Sequence, residues 1–171
     1  TSLGVLTLTN GALDTNNQAV TCNTFRSNNS NTRSLTLGTS VFTVVGNGIL
    51  AFDFTDTTGL TFSGASSTLK FADISGGAIT FNGGGQTYGT VQLSGVSGTG
   101  AFTITGNNTF STFSSLRTYA YSILLTDGSN QTITTWSVNG SAGNLVTLTN
   151  TASTTAGTLT KAGGGTVTVD Y

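Results

Sequence analysis

Apolar residues alternate with Thr, Ser and Asn at a period of two along nearly the whole chain, the pattern of half-buried β-strands. Leu6 and Leu8 begin it, followed by Val20 with Cys22, Leu35 with Leu37, and Leu50 with Phe52 and Phe54. Leu69 with Phe71, Ile79 with Phe81, Val91 with Leu93, and Phe102 with Ile104 repeat it. Tyr119, Tyr121, Ile123 and Leu125 form the longest stripe. Trp136 with Val138, Val146 with Leu148, and Val167 with Val169 and Tyr171 complete the series. No segment carries a helical period. The intervening positions are rich in Thr, whose branched Cβ favours extended backbone. Turn signals separate the stripes: Asn-Gly at 10–11, 47–48, 82–83 and 139–140, triple glycines at 83–85 and 163–165, and a polar loop at Asn28–Asn31.

Many short strands, regular turns and no helix leave two architectures, a β-solenoid and a β-sandwich or jelly roll. Three features favour the solenoid. The Thr/Ser/Asn/Gly bias is uniform from end to end, strand–turn phrases such as "SLTLGTSVFTVVGNG" and "AFTITGNNTFSTF" recur, and Asn and Thr can stack in ladders on successive coils. Composition does not shift along the chain, so residues 1–171 read as a single all-β domain.

Composition then narrows the chemistry. The 171 residues contain no His, Pro, Met or Glu, one Cys, and only 6% charged residues, while Thr outnumbers even the 24 Gly. Most enzymatic chemistry near neutral pH needs groups that titrate or bind metals, so the expectation is a protein that is not an enzyme and takes no cofactor. A net charge of −1 offers no field for nucleic acid, and no apolar run reaches the ~20 residues of a spanning helix. Cys22, without a partner, reads as a small buried strand residue. Natural sheets blunt open edges with Lys or Pro, and two Lys with no Pro suggest edges covered by neighbours.

Few residues qualify as site candidates. Asp53 and Asp56 could form an acid–base pair of the kind that cleaves sugars, but three residues apart on an extended strand they face opposite ways. They read better as one solvated and one turn aspartate. The other aspartates, Asp14, Asp73, Asp127 and Asp170, are scattered. Asp14 and Asp127 lie in Asn/Gly-rich turns and are the least unfavourable calcium ligands in a chain without a calcium repeat. Gly83–Gly85 is followed by neither Lys-Ser/Thr nor a helix, so it reads as a turn and not a phosphate loop. Tyr88, Tyr119, Tyr121 and Trp136 could stack on sugar rings if they face outward; Tyr119, Tyr121 and Trp136 are the binding candidates. The phase that Tyr121 shares with Ile123 favours the core instead. Asn28, Asn107, Asn130 and Asn139 begin Asn-x-Ser/Thr triplets, which so Asn- and Thr-rich a chain produces by chance.

The phrases "LTNGALDTNNQAVTCNTFRSNNSNTRSLTLG", "ITFNGGGQTYGTVQLSG", "FTITGNNTFSTF" and "QTITTWSVNGSAGNLVTLTNTAS…GTVTVDY" together cover nearly the whole chain. In that order they resemble a Gly/Thr-rich repeat module of tailed-bacteriophage structural proteins and large bacterial surface proteins. The resemblance implies a parallel β-helical path that runs on past the "VDY" strand, so that these residues are a fragment or ordered part of a longer chain. It supplies no catalytic motif. It implies a structural module of a virion (fibre, tail or shell) or of an extracellular surface fibre, working by self-association or contact with neighbouring structural proteins. The alternative is an adhesin module that binds host-surface glycans or a receptor.

Overall fold

The computed structural model describes residues 3–46, 50–72, 76–95, 100–152, 154–164 and 167–168. Asn47-Gly48, Asp73, Gly165, Val169, Asp170 and Tyr171 lie outside them, as does the side chain of Val167. Sixteen strands, numbered along the chain, pair in parallel, and the described residues contain no helix. The chain is a β-solenoid of about six turns. The Asn-Gly pairs at 10–11, 82–83 and 139–140 therefore mark corners between faces, not hairpins.

Pairing sorts the strands into three stacks. The first runs through β1 (Leu3–Thr7), the end of β3 (Val20–Arg26), β6 (Phe52–Asp53), β8 (Ile79–Asn82), β10 (Phe102–Thr105), β12 (Tyr121–Leu125) and β14 (Val146–Asn150). The second joins the start of β3 to β5 (Val41–Val44). It continues through the ends of β7 (Leu60–Phe71), β9 (Thr87–Leu93), β11 (Thr109–Ser115) and β13 (Asn130–Ser137) to β16 (Val167–Thr168). The third joins β2 (Gly11–Asp14) and β4 (Arg33–Thr36) to the starts of β7, β9, β11 and β13, and then to β15 (Thr158–Lys161).

Alternation explains the strands, and a break in it explains the corners. Along one face every second side chain points inward. Where β9, β11 and β13 bend from the third stack to the second, the inward residues are three apart: Tyr88 and Val91, Phe110 and Phe113, Ile133 and Trp136. Each stacks on its counterpart, Tyr88 on Phe110 on Ile133 and Val91 on Phe113 on Trp136. The same step separates Cys22 from Phe25 in β3.

Stacking of like on like fills the interior. Phe25, Phe52 and Phe81 form one column, with ring centroids 5.1 Å and 5.5 Å apart along it. Phe71 and Phe102 extend the contact at 5.0 Å, and Phe113 lies flat on Trp136 at 5.1 Å and 11°. Such pairs add about 0.5–1.5 kcal/mol each beyond their area burial. Cys22 is fully buried, and burial pushes its thiol up to about 11. Of the apolar stripes, those from Leu6 to Val138 pack into or against this core, with Leu50 half-buried. In β14 the pattern fades: Leu148 is 45% exposed.

Thr repeats outside, as in Thr68, Thr90, Thr112 and Thr135 on successive coils. Amide side chains join the coils at the corners. Asn107 Oδ1 accepts the Asn130 N–H at 2.8 Å, and Asn130 Oδ1 accepts the Thr158 and Thr160 hydroxyls at 2.9 and 2.8 Å. The buried Gln131 is satisfied on both ends, accepting from Asn108 Nδ2 at 3.0 Å and donating to the Gly106 carbonyl.

Candidate functional site

The described carboxylates are spent on turns. Asp14 accepts the Asn16 N–H at 2.7 Å, helping to hold Asn16 and Asn17 at positive φ of 50° and 59°. Asp56 accepts the Thr58 N–H at 2.8 Å. Asp127 reaches the next coil, where it accepts the Ala152 N–H at 2.8 Å and the Thr154 hydroxyl at 2.7 Å. Asp53, expected to be solvated, is buried: Thr55 donates to it through N–H and hydroxyl, and Asn28 Nδ2 donates at 2.7 Å. The strand alternation turned Asp53 away from Phe52 and Phe54, but the polar loop folds over it. Among the described residues no group of three or more His, Cys, Asp or Glu comes together.

Gly83–Gly85 makes a corner in which Gly84 and Gly85 take positive φ and the Gly85 N–H donates to Asn108 Oδ1 at 3.1 Å.

The aromatic candidates divide. Tyr88 is fully buried with its hydroxyl donating to the Gly83 carbonyl at 2.8 Å. Trp136 and Tyr121 are 5% and 4% exposed and belong to the core. Tyr119 is half-buried against that core. A stacking platform needs ring faces open to solvent, and the Tyr88, Tyr121 and Trp136 rings are buried, Tyr121 by the same alternation that buries Ile123.

The Tyr119–Tyr121 stripe instead leads to Arg117. β11 ends at Ser115, and β12 begins at Tyr121. Leu116, in the corner between them, is 63% exposed; Arg117, next in sequence, turns inward and is only 5% exposed. Its guanidinium carbon sits 4.9 Å from the Tyr121 ring centroid and 5.8 Å from that of Tyr119. The Arg117 Nε has no hydrogen-bond partner. The Tyr121 hydroxyl, close to the Ser115 side chain, completes no hydrogen bond of good geometry. Burial pushes the Tyr121 phenol up, while Ser115 and the Arg117 charge pull it down.

The corner above closes this space. Ser141 and Asn144 exchange backbone hydrogen bonds at 3.1 and 2.8 Å, making a small turn at the end of Asn139–Asn144. Between the two corners lies a partly open cavity of about 270 Å³, lined by Ser115, Leu116, Arg117, Thr118, Asn139, Gly140, Ser141 and Asn144. Its described lining holds hydroxyls, carboxamides and one buried cation. A second hollow, of about 290 Å³, lies on Leu125, Leu148, Thr149, Asn150, Gly157 and Leu159, none of them charged.

Arg117 escaped the reading of the sequence as a lone arginine beside aromatic residues. Its signal was its parity: Arg117, Tyr119, Tyr121, Ile123 and Leu125 share one phase, so the longest apolar stripe begins with a cation. No helix of the described residues is long and apolar enough to cross a membrane. No protein-family model matches the chain, and neither does any curated protein or solved structure.

Proposed function

We propose that the chain is a structural element of a virion or extracellular surface assembly, a rigid β-solenoid that works by associating with copies of itself or with neighbouring structural proteins. The observation that carries this reading is the continuous parallel ladder through successive coils, with stacked rings within and Asn–Thr bonds between the coils. A ladder of this kind resists bending, because each backbone hydrogen bond joins one coil to the next. The described carboxylates hold turns within this frame, a use that favours scaffold over catalysis. The last described coil exposes Leu145 and Leu148, apolar surface suited to a contact.

Electron microscopy and light scattering of the purified chain at high concentration test the reading. Ordered fibres or symmetric particles are expected. A monomer that stays dispersed at every concentration would count against it.

A further inference from the structure

A guanidinium taken out of water is costly unless its donors are satisfied. Arg117 is buried, its Nε donates to nothing, and among the described residues no carboxylate lines the cavity beside it. Tyr119 and Tyr121 offer their ring faces, which hold the charge in place but accept no hydrogen bond in the guanidinium plane. The fork of Arg117 is thus fixed in orientation at the wall of an open cavity. We propose that this cavity binds a carboxylate-bearing ligand of sugar size, an acidic monosaccharide unit, with its carboxylate on Arg117.

Charge selects the carboxylate. Arg117 is the only cation among the described residues lining the cavity, so it neutralises a monoanion and leaves a dianion half compensated. The rest of the lining selects the body of the ligand. Ser115, Thr118 and Ser141 carry hydroxyls and Asn144 a carboxamide, a set that matches the hydroxyls of a sugar ring, while Leu116 gives one apolar edge. A volume of about 270 Å³ lies just below the ~300–1,000 Å³ of common ligand pockets, so the occupant is a single unit. The proposal stands whether or not the chain self-assembles.

The test is a titration of the ¹⁵N-labelled protein with sodium glucuronate, following backbone amide shifts, with glucose and inorganic phosphate as separate arms. Saturable shifts confined to Ser115–Thr118 and Asn139–Asn144, with glucuronate alone, are the expected result. Arg117→Gln should weaken glucuronate binding at least about tenfold, with Arg117→Lys between, because an ammonium keeps the charge and loses the fork. Should Arg117→Gln fail to fold, Ser141→Leu, at an exposed turn position, fills the cavity and should abolish the shifts. Absence of shifts in the wild type, or undiminished binding by whichever variant folds, would overturn the site. Phosphate binding as tightly as glucuronate would reduce it to a general anion hole and overturn the carboxylate assignment. Equal binding of glucose would remove Arg117 from recognition.

Discussion

Two arginines are buried in this solenoid, and they are treated in opposite ways. Arg33, 2% exposed, opens β4 and spends its guanidinium entirely on the protein. Its Nε donates to the Ser27 hydroxyl at 2.6 Å; one terminal nitrogen reaches the Asn31 and Thr58 carbonyls, the other those of Ser27 and Asp56. It clamps the polar loop after β3 to the turn of the next coil. Arg117 is as deeply buried, yet it meets two aromatic rings and a cavity, and its Nε is unbonded. The same repeating frame therefore holds one cation as a structural rivet and another in an unfinished constellation. Burial alone does not separate them; the count of satisfied donors does.

The largest consequence falls on stability. Arg33→Met strands four carbonyls that now accept from the guanidinium, so it should lower unfolding free energy by about 3–5 kcal/mol. Arg117→Met removes a charge that has no full set of partners and replaces it with apolar volume against two rings. It should stay within about 1 kcal/mol of the wild type, because lost cation–π attraction offsets recovered desolvation. Urea unfolding of both variants decides the matter. Equal losses would mean that Arg117 is as structural as Arg33, and the contrast would collapse.

Two tyrosines repeat the contrast on a smaller scale. Tyr88→Phe deletes the bond to the Gly83 carbonyl inside the core and should cost about 0.5–1.5 kcal/mol. Tyr121→Phe deletes a buried hydroxyl that completes no bond, and should be neutral or slightly stabilising. A Tyr121→Phe loss as large as that of Tyr88→Phe would show that the Ser115 contact is a true hydrogen bond in solution.

Part of this was legible in the residues. The period of two identified most of the strands and most of the core, because every face of a coil must alternate. The corners were not legible in the same way. Phe110 and Phe113 or Ile133 and Trp136, three apart, look like a lapse in the pattern, although the lapse is the bend and recurs on neighbouring coils. Buried polar groups were harder still. Asp53 lies in the outward phase but is covered by a loop from the previous coil, and Arg33 is buried by turns on both sides. Such coverage depends on which coils become neighbours, and that follows from the pairing, not from local sequence. At Tyr119 and Tyr121 the alternation pointed to the core, and Arg117 at the head of the same stripe was the overlooked part.

The smallest effect separates the two regions by acid titration. Asp56 is held below its ordinary value of 3.8 first by the Thr58 N–H, then by the Thr58 side chain and by the nearby Arg33 charge. Asp127, at the corner after β12, is held below 3.8 first by the Thr154 hydroxyl and then by backbone N–H groups of the next coil, without help from a cation. A carboxylate with a depressed folded pKa stabilises the fold fully above its unfolded value and loses that contribution as pH falls through the folded one. Stability should therefore be nearly flat between about pH 5 and 7, where a chain without His and with a buried thiol has no side chain to titrate, and should decline below 3.8. Salt distinguishes the two carboxylates. It screens the Arg33 attraction at the partly exposed Asp56 but leaves short hydrogen bonds intact, so side-chain ¹³C titration at high salt should raise the Asp56 pKa and leave Asp127 in place. Equal movement of both would mean that the Arg33 charge contributes nothing to the Asp56 shift, leaving Arg33 electrostatically silent beyond its own clamp.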